Sequence, residues 1–476
     1  MIEPTGIIAI IFVVYMTGML GVGVWSSKRA HTASDFFLAN RSLGPWLTAI
    51  SATSSSESAW AVMGTVGMAY NQGLSAWWFL PGCLLGYALN WLFVGDRLRK
   101  RALESGSLTI PDFLESNFKD PANSIRILSA LIILSCMVAY VAAQFTAAGK
   151  AFDAIFGIEH SISVPMSALI VVSYTLLGGF LAVAWTDLIQ GLIMVGGLVV
   201  LSLVAFGELG GLTELVQKTA ALSPDFLSLD GGKSGPAMWG GMVGLLGIGL
   251  GYPGQPHVLT RFMAARDSKT IRDGWRISLG WGFLVYSSGI LLGICGKVLM
   301  PELDDPEQLF PKAAIALLHP LLSGIVLAAI LAAIMSTADS QLLVAASTIV
   351  RDIYEKVFSK KVAERQMLVL SRIVIALLGF SAMAFALSDV RVIFWFVLFA
   401  WSGLGASFGP AILFVLYWKQ TTRQGILAGM LTGFITTLVW KISGLSDSLY
   451  ELPPAFFISC LSIFLVSRIT QDSTLY

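Results

Sequence analysis

Four stretches of this chain carry residue types that could do chemistry in an otherwise apolar sequence. Ser51-Ala52-Thr53-Ser54-Ser55-Ser56-Glu57-Ser58 surrounds one carboxylate with hydroxyls. Gly247-Ile248-Gly249-Leu250-Gly251-Tyr252-Pro253-Gly254-Gln255-Pro256 combines helix breakers with a phenol and an amide. Met335-Ser336-Thr337-Ala338-Asp339 sets two adjacent hydroxyls beside a second carboxylate, and Asp187 follows Trp185-Thr186 in a further apolar run. Hydroxyls and backbone carbonyls are hard oxygen donors. They suit sodium and similar hard cations rather than metals held by thiolate or imidazole. The four cysteines are scattered without a CxxC spacing and read as small core residues. No HExxH, GxSxG or phosphate-cradling loop is present, so the pattern points to binding and not to catalysis.

The elements that must position these residues are membrane helices. Of 476 residues 56% are hydrophobic and 12% charged, with mean hydropathy +0.77. A soluble domain typically carries about 25% charged residues, so the bilayer is the solvent for this surface. A net charge of +1 excludes a nucleic-acid footprint. A spanning helix needs roughly 20 apolar residues. Candidate spans lie near 5–26, 46–70, 74–94, 125–150, 161–177, 180–206, 236–256, 276–300, 321–350, 366–388, 390–417, 423–443 and 452–470, about thirteen in all. The fifth and sixth are parted only by Leu177-Gly178-Gly179.

Basic residues test that count. With the N-terminus outside, the cytoplasmic connections hold 23 of the 30 Lys and Arg, including Arg41, Arg97 to Arg101, Arg261 to Arg276 and Arg351 to Arg365. The other seven are Lys150, Lys218, Lys233, Lys297, Lys312, Arg391 and Lys441. This asymmetry predicts a multi-pass inner-membrane protein with its N-terminus outside and its C-terminus in the cytoplasm. The first apolar run has no basic residue before it and Lys28-Arg29 after it, the polarity of a first span and not of a cleaved signal.

Lipid cannot satisfy freed backbone groups, so an interrupted span implies a cavity or a protein neighbour. The second and seventh spans contain the serine run and the Gly/Pro run, and each is expected to break at membrane depth. They lie five spans apart, as two oppositely oriented five-helix repeats require, and paired interruptions point to a transporter's binding site. Glu57 and Asp339 are intramembrane carboxylates, functional by default, with a buried structural hydrogen bond as the plainer reading. Asp187 and His257 also fit interfacial roles. Tyr140 and Tyr252 sit mid-span, where a phenol needs a partner.

Together these residues resemble the sodium:solute symporter family, and within it the bacterial sodium/proline branch. The likeness runs from Ser34-Asp35-Phe36-Phe37-Leu38 and Arg41-Ser42-Leu43-Gly44-Pro45 through Trp185-Thr186-Asp187, Gly251 to His257 and Met335 to Leu343, to Gly405-Ala406-Ser407-Phe408-Gly409-Pro410. The resemblance implies an all-α membrane fold of the leucine-transporter type, a five-plus-five inverted repeat with one helix before the core and two after. It implies a sodium site from carbonyls of Ser54, Glu57 and Ala333 with the hydroxyls of Ser336 and Thr337. A second sodium in some members uses the aspartate matching Asp187. Solute would contact Ser58, Tyr140, Gln144, Tyr252, Gln255 and Pro256, with Arg41, Ser56 and Asp339 in coupling or gating. Two positions depart from proline symporters, which carry an aspartate at Ser56 and a tryptophan at Ile248.

The expected organisation is 1–45, a first helix and loop; 46–206, the first repeat; 207–235, an outer loop; 236–417, the inverted repeat; and 418–476, two closing helices. The expected function is sodium-coupled symport of a small polar solute, proline or a related amino acid, with sodium ion, solute and membrane lipid as partners and no nucleic acid. A proton-coupled carrier, a symporter of another solute and a membrane-embedded sensor stay open as alternatives.

Overall fold

The computed structural model describes residues 4–27, 32–118, 120–359, 363–388 and 393–471. Lys28, Arg29, Lys119, Lys360, Lys361 and Arg391, all counted in the charge partition, lie outside the described residues. Helix makes up 86% of the protein, and among the described residues there is no strand, only an isolated bridge between Leu43 and Ala265.

Thirteen helical paths are traced by the described residues. They are α1 (Pro4–Ser27), α2 (Pro45–Ser56, resuming over 60–72), α3 (79–104), α4 (Ser124–Phe156), α5 and α6 (the two parts of His160–Glu208), and α7 (Gly235–Gly247, Ile248–Gly254 and Pro256–Met263). They continue as α8 (Ser268–Leu299), α9 (Pro320–Ser347, extended by Thr348–Val357), α10 (Glu364–Ala386), α11 (Ile393–Tyr417), α12 (Arg423–Ile442) and α13 (Leu452–Gln471). Ten described helices are long and apolar enough to span a bilayer, and one of them, Trp60–Glu104, runs the second half of α2 into α3. The shorter apolar helix His160–Leu176 and the two broken paths complete the thirteen. The soft boundary between the fifth and sixth spans is a kink at Gly179, whose φ of 60° and ψ of −166° suit only a residue without Cβ.

Packing follows the inverted repeat. The broken helix α2 packs on α6 and α8, and the broken helix α7 packs on α11 and α3, which is the reciprocal pairing that exchanging the two five-helix units requires. The core sits around α9 and α11, whose apolar windows are 83% buried, whereas α1 and α10 are only 28% buried and form the perimeter. α7 approaches its neighbours backbone to backbone. A Cβ on Gly254 would lie 2.6 Å from the Cα of Gly405 on α11.

The α2 break falls at the Glu57-Ser58 end of the serine run, and the earlier hydroxyls of the run leave the helix intact. Thr53 and Ser54 donate to the carbonyls of Ala49 and Ile50 at 2.9 and 2.7 Å, and Ser56 to that of Thr53 at 2.8 Å, so the hydroxyls are absorbed by their own helix. Helix persists to Ser56, and the interruption falls over 57–58, starting where Glu57 adopts φ −102° and ψ 79°.

Candidate ion- and solute-binding site

The α2 break frees carbonyls that other helices must satisfy. Ser336 donates to the Ser54 carbonyl at 2.9 Å and Thr337 to the Ser55 carbonyl at 3.0 Å. The Ser336 hydroxyl also lies 3.2 Å from the Ala333 carbonyl. Ser54, Ala333, Ser336 and Thr337 are thus brought together at the α2–α9 contact, all fully buried. These hydroxyls hold the facing carbonyls in place, and turning their protons away would present oxygen to a hard cation.

One turn along, Asp187 of α6 is enclosed instead of interfacial. Its Oδ2 accepts from Ser51 at 2.6 Å, from Ser55 at 3.0 Å and from the Arg261 guanidinium at 2.9 Å, while Oδ1 has no partner. Arg261, assigned from sequence to a cytoplasmic connection, is fully buried. It donates to Ser51 at 3.0 Å, to Ser340 at 2.5 Å and to the His257 carbonyl at 2.7 Å. One α7 side chain therefore ties α2, α6 and α9 together. No hydropathy signal could have found it, since an arginine at a span's end reads as a loop charge. His257, expected at the interface, is also fully buried with both ring nitrogens unpartnered. It is carried inward because α7 extends to Met263. Asp339 accepts from Tyr174 at 2.7 Å and from Ser340 at 3.1 Å, a member of the same polar cluster.

The opposite face of the break is aromatic. Glu57 Oε1 accepts from Tyr87 at 2.6 Å, Tyr252 at 2.8 Å and Ser56 at 3.2 Å, and the Tyr286 hydroxyl lies 2.8 Å from that of Tyr252. Glu57 Oε2 has no partner. Trp60, Phe79, Tyr252, Tyr286 and Trp401 continue this wall, with ring centroids 4.8 Å apart for Tyr252–Trp401 and 5.2 Å for Trp60–Phe79. Gln144 Oε1 accepts the Ala59 backbone N–H at 3.0 Å, leaving Nε2 unpartnered. The Tyr140 hydroxyl lies 3.4 Å from that of Ser58 and accepts from the Trp60 indole at 3.0 Å. Ser58, Tyr140, Gln144 and Tyr252 therefore gather at the break as expected. Tyr87 and Tyr286 were not foreseen; a mid-span tyrosine was the available signal.

At the α7 break, the Ile248 carbonyl accepts from the Trp401 indole at 3.1 Å and the Tyr252 carbonyl from Asn90 at 3.2 Å. Gln255 turns its amide to the Trp401 and Gly251 carbonyls at 3.0 and 3.3 Å, so it closes α7 onto α11 and makes no hydrogen bond to α2. Pro256 starts the second half of α7 and lines a crevice with Phe37, Thr109, Phe180 and Leu343. At that end of the molecule Arg41 donates to the carbonyls of Met263 at 2.9 Å, Ala102 at 3.1 Å and Ser107 at 2.7 Å.

The family described as the sodium:solute symporter family matches residues 36–433. The chain is 39% identical over 458 residues to the high-affinity proline transporter PutP of Bacillus subtilis, covering 95% of this chain and 96% of that protein. It is 36% identical to the osmoregulated proline transporter OpuE of the same organism (96% and 94% covered), and 36% identical to a sodium/proline symporter of Staphylococcus aureus (97% and 92% covered). Among solved structures, a substrate-bound, outward-open sodium-coupled sialic acid symporter superposes with TM-score 0.82 at 21% identity, covering 99% and 98% of the two chains. MhsT in complex with L-phenylalanine superposes with TM-score 0.54 at 14% identity, covering 89% and 99%.

Proposed function

The chain belongs to the sodium:solute symporter family and is a sodium-coupled solute transporter, and on that premise we propose that it carries proline or a related amino acid into the cell by alternating access. The observation that carries this reading is the meeting of Ser336 and Thr337 with the carbonyls freed at the α2 break. Sodium would be held there by the carbonyls of Ser54, Glu57 and Ala333 and the two hydroxyls. Asp187, with one oxygen unpartnered, is the place for a second ion. Solute would lie between the breaks against Ser58, Tyr140, Gln144 and Tyr252, with Gln255 and Pro256 holding α7 around it.

Ion binding must favour one state over the other, because a ligand with equal affinity for both shifts nothing. A sodium that bridges α2 and α9 favours the state in which those helices touch. Its loss to a low-sodium cytoplasm would free them to part. Ser56, Asp339 and Arg41 serve that coupling, the last by bracing the ends of α3 and α7. The charge partition supports an N-terminus outside, the two repeats would be 46–206 and 236–417, and lipid would cover exposed side chains such as Val13, Val14, Leu131 and Leu203.

The test is uptake into proteoliposomes from a panel of labelled solutes, with sodium and pH gradients imposed separately. Uptake of proline or a near relative driven by sodium alone is expected, and strongly weakened sodium stimulation in Thr337→Ala. Uptake driven by a pH gradient without sodium would replace the reading with a proton-coupled carrier.

A further inference from the structure

Glu57 is fully buried at the centre of the α2 break, and one of its oxygens is spoken for while the other is not. Among the described residues no Lys, Arg or His side chain forms an ion pair with it, whereas Asp187 is paired with Arg261 at 2.9 Å, and Asp339, also without an ion pair, has both oxygens hydrogen-bonded by Tyr174 and Ser340. An isolated carboxylate in a low-dielectric interior is costly to keep, so it persists where something else supplies the opposite charge. The surroundings describe that something. Tyr87 and Tyr252 hold Oε1 and so fix the plane of the carboxylate. The rings of Tyr87, Tyr252, Tyr286, Trp60 and Trp401 crowd the same place, with centroids 4.7 Å apart for Tyr87–Tyr252 and 6.5 Å for Trp60–Tyr286. Aromatic faces beside a carboxylate attract an organic cation and give a solvated metal ion little.

A second orphan lies two residues along. Gln144 spends its carbonyl oxygen on Ala59 N–H and leaves its amide nitrogen, a donor, without a partner. A free carboxyl oxygen and a free neutral donor, both anchored within residues 57–59, have opposite polarity. They match the two ends of a small zwitterion.

We propose that Glu57 is the counter-ion for a positively charged nitrogen on the transported solute, and that the Gln144 amide donates to the carboxylate of the same solute. This rests on the symport reading above and deepens it: the solute is an ammonium carboxylate, and its charge is read by a side chain of α2 and not by backbone carbonyls alone. Glu57 then has two roles. Its backbone faces the ion and its side chain faces the cargo, so occupation of one places the other.

The experiment is ligand binding to the purified full chain in detergent, read by tryptophan fluorescence, with L-proline, glycine betaine, choline and tetrahydrofuran-2-carboxylate, in which oxygen replaces the ring ammonium of proline. Wild type is expected to bind L-proline or glycine betaine at least about 30-fold more tightly than tetrahydrofuran-2-carboxylate, the scale of losing one partner of a buried charge pair. Glu57→Gln is expected to erase that preference while keeping a cooperative thermal unfolding transition. Gln144→Glu is expected to shift preference from L-proline toward choline, because a second anion repels the carboxylate and favours a plain cation. Tight binding of tetrahydrofuran-2-carboxylate by wild type, or unchanged L-proline and glycine betaine affinity in a folded Glu57→Gln protein, would overturn the proposal. Sodium dependence is read separately, by repeating the wild-type titration in choline-free potassium buffer. Affinity in potassium equal to that in sodium counts against the symport reading and leaves the Glu57 contrast intact.

Discussion

The two sides of the α2 break handle buried polarity in opposite ways. On the side facing α6 and α9, Asp187 meets Arg261, Ser51 and Ser55, and Ser336 and Thr337 meet carbonyls, so the buried charge is answered within the protein even though Asp187 Oδ1 and the His257 ring nitrogens have no partner. On the side facing α3, α7 and α8, Glu57 keeps one oxygen, and Gln144 its amide nitrogen, unanswered. The first side is held together from within and acts as a clasp between helices. The second is completed only from without. A charge paired within the protein gives stability and one without a counter-charge gives recognition, because it is available to a ligand.

The strongest way to break this comparison is to remove one partner of the closed pair. Arg261→Met leaves Asp187 charged and alone, and should cost about 3–5 kcal/mol in thermal or denaturant unfolding of the detergent-solubilised protein. Combining it with Asp187→Asn should recover more than half of that loss. A double variant no better than Arg261→Met would show that the arginine acts through its other bonds. On the open side the same operation should have the opposite sign, with Glu57→Gln melting at or above the wild-type temperature, since it discharges a carboxylate that has no cation.

A smaller effect separates ion from cargo. Thr337→Ala should raise the sodium concentration for half-maximal uptake about tenfold or more, the value of a hydrogen-bonding group opposite a charge. Transport with unaltered sodium dependence in that variant would remove the site from α9. Tyr87→Phe deletes the shortest hydrogen bond to Glu57 and should cost about 1–3 kcal/mol in unfolding and weaken solute binding. Least of all, Arg41→Lys replaces a planar fork that reaches three carbonyls with a point charge, for about 1 kcal/mol. As a floor for these measurements, Lys218→Ala should change stability by less than about 0.5 kcal/mol, because its pair with Glu214 is nearly half exposed on both sides.

Much of the fold was legible in the residues. Apolar runs near 20 residues long marked the spans, and Gly178-Gly179 marked the α5–α6 kink. The Gly/Pro run marked the α7 break, because Gly and Pro act on their own backbone. The Ser51 to Ser58 run contains the α2 break only at its Glu57-Ser58 end, because a hydroxyl that weakens a helix in isolation can equally bond back to it, as Thr53, Ser54 and Ser56 do. Residue type and resemblance single out Ser54, Ser336, Thr337, Tyr140, Gln144 and Tyr252, and all six lie around the α2 break. Gln255 spends its amide on α11. Arg261, Tyr87 and Tyr286 gave no local sign of their partners, since each acts on a residue far off in the chain.

The sequence by itself determined the solvent, the number of crossings, the two interrupted helices and the family. Those depend on composition and on short-range backbone preferences, which are properties of neighbouring residues. Only the tertiary structure decided that Arg261 is an internal cation, that Asp187 is its partner, and that Glu57 stands among tyrosines with one oxygen free. Such facts depend on which helix faces which. In a membrane interior the cost of a charge is set by what lies across the gap, and the order of residues along one helix does not contain it.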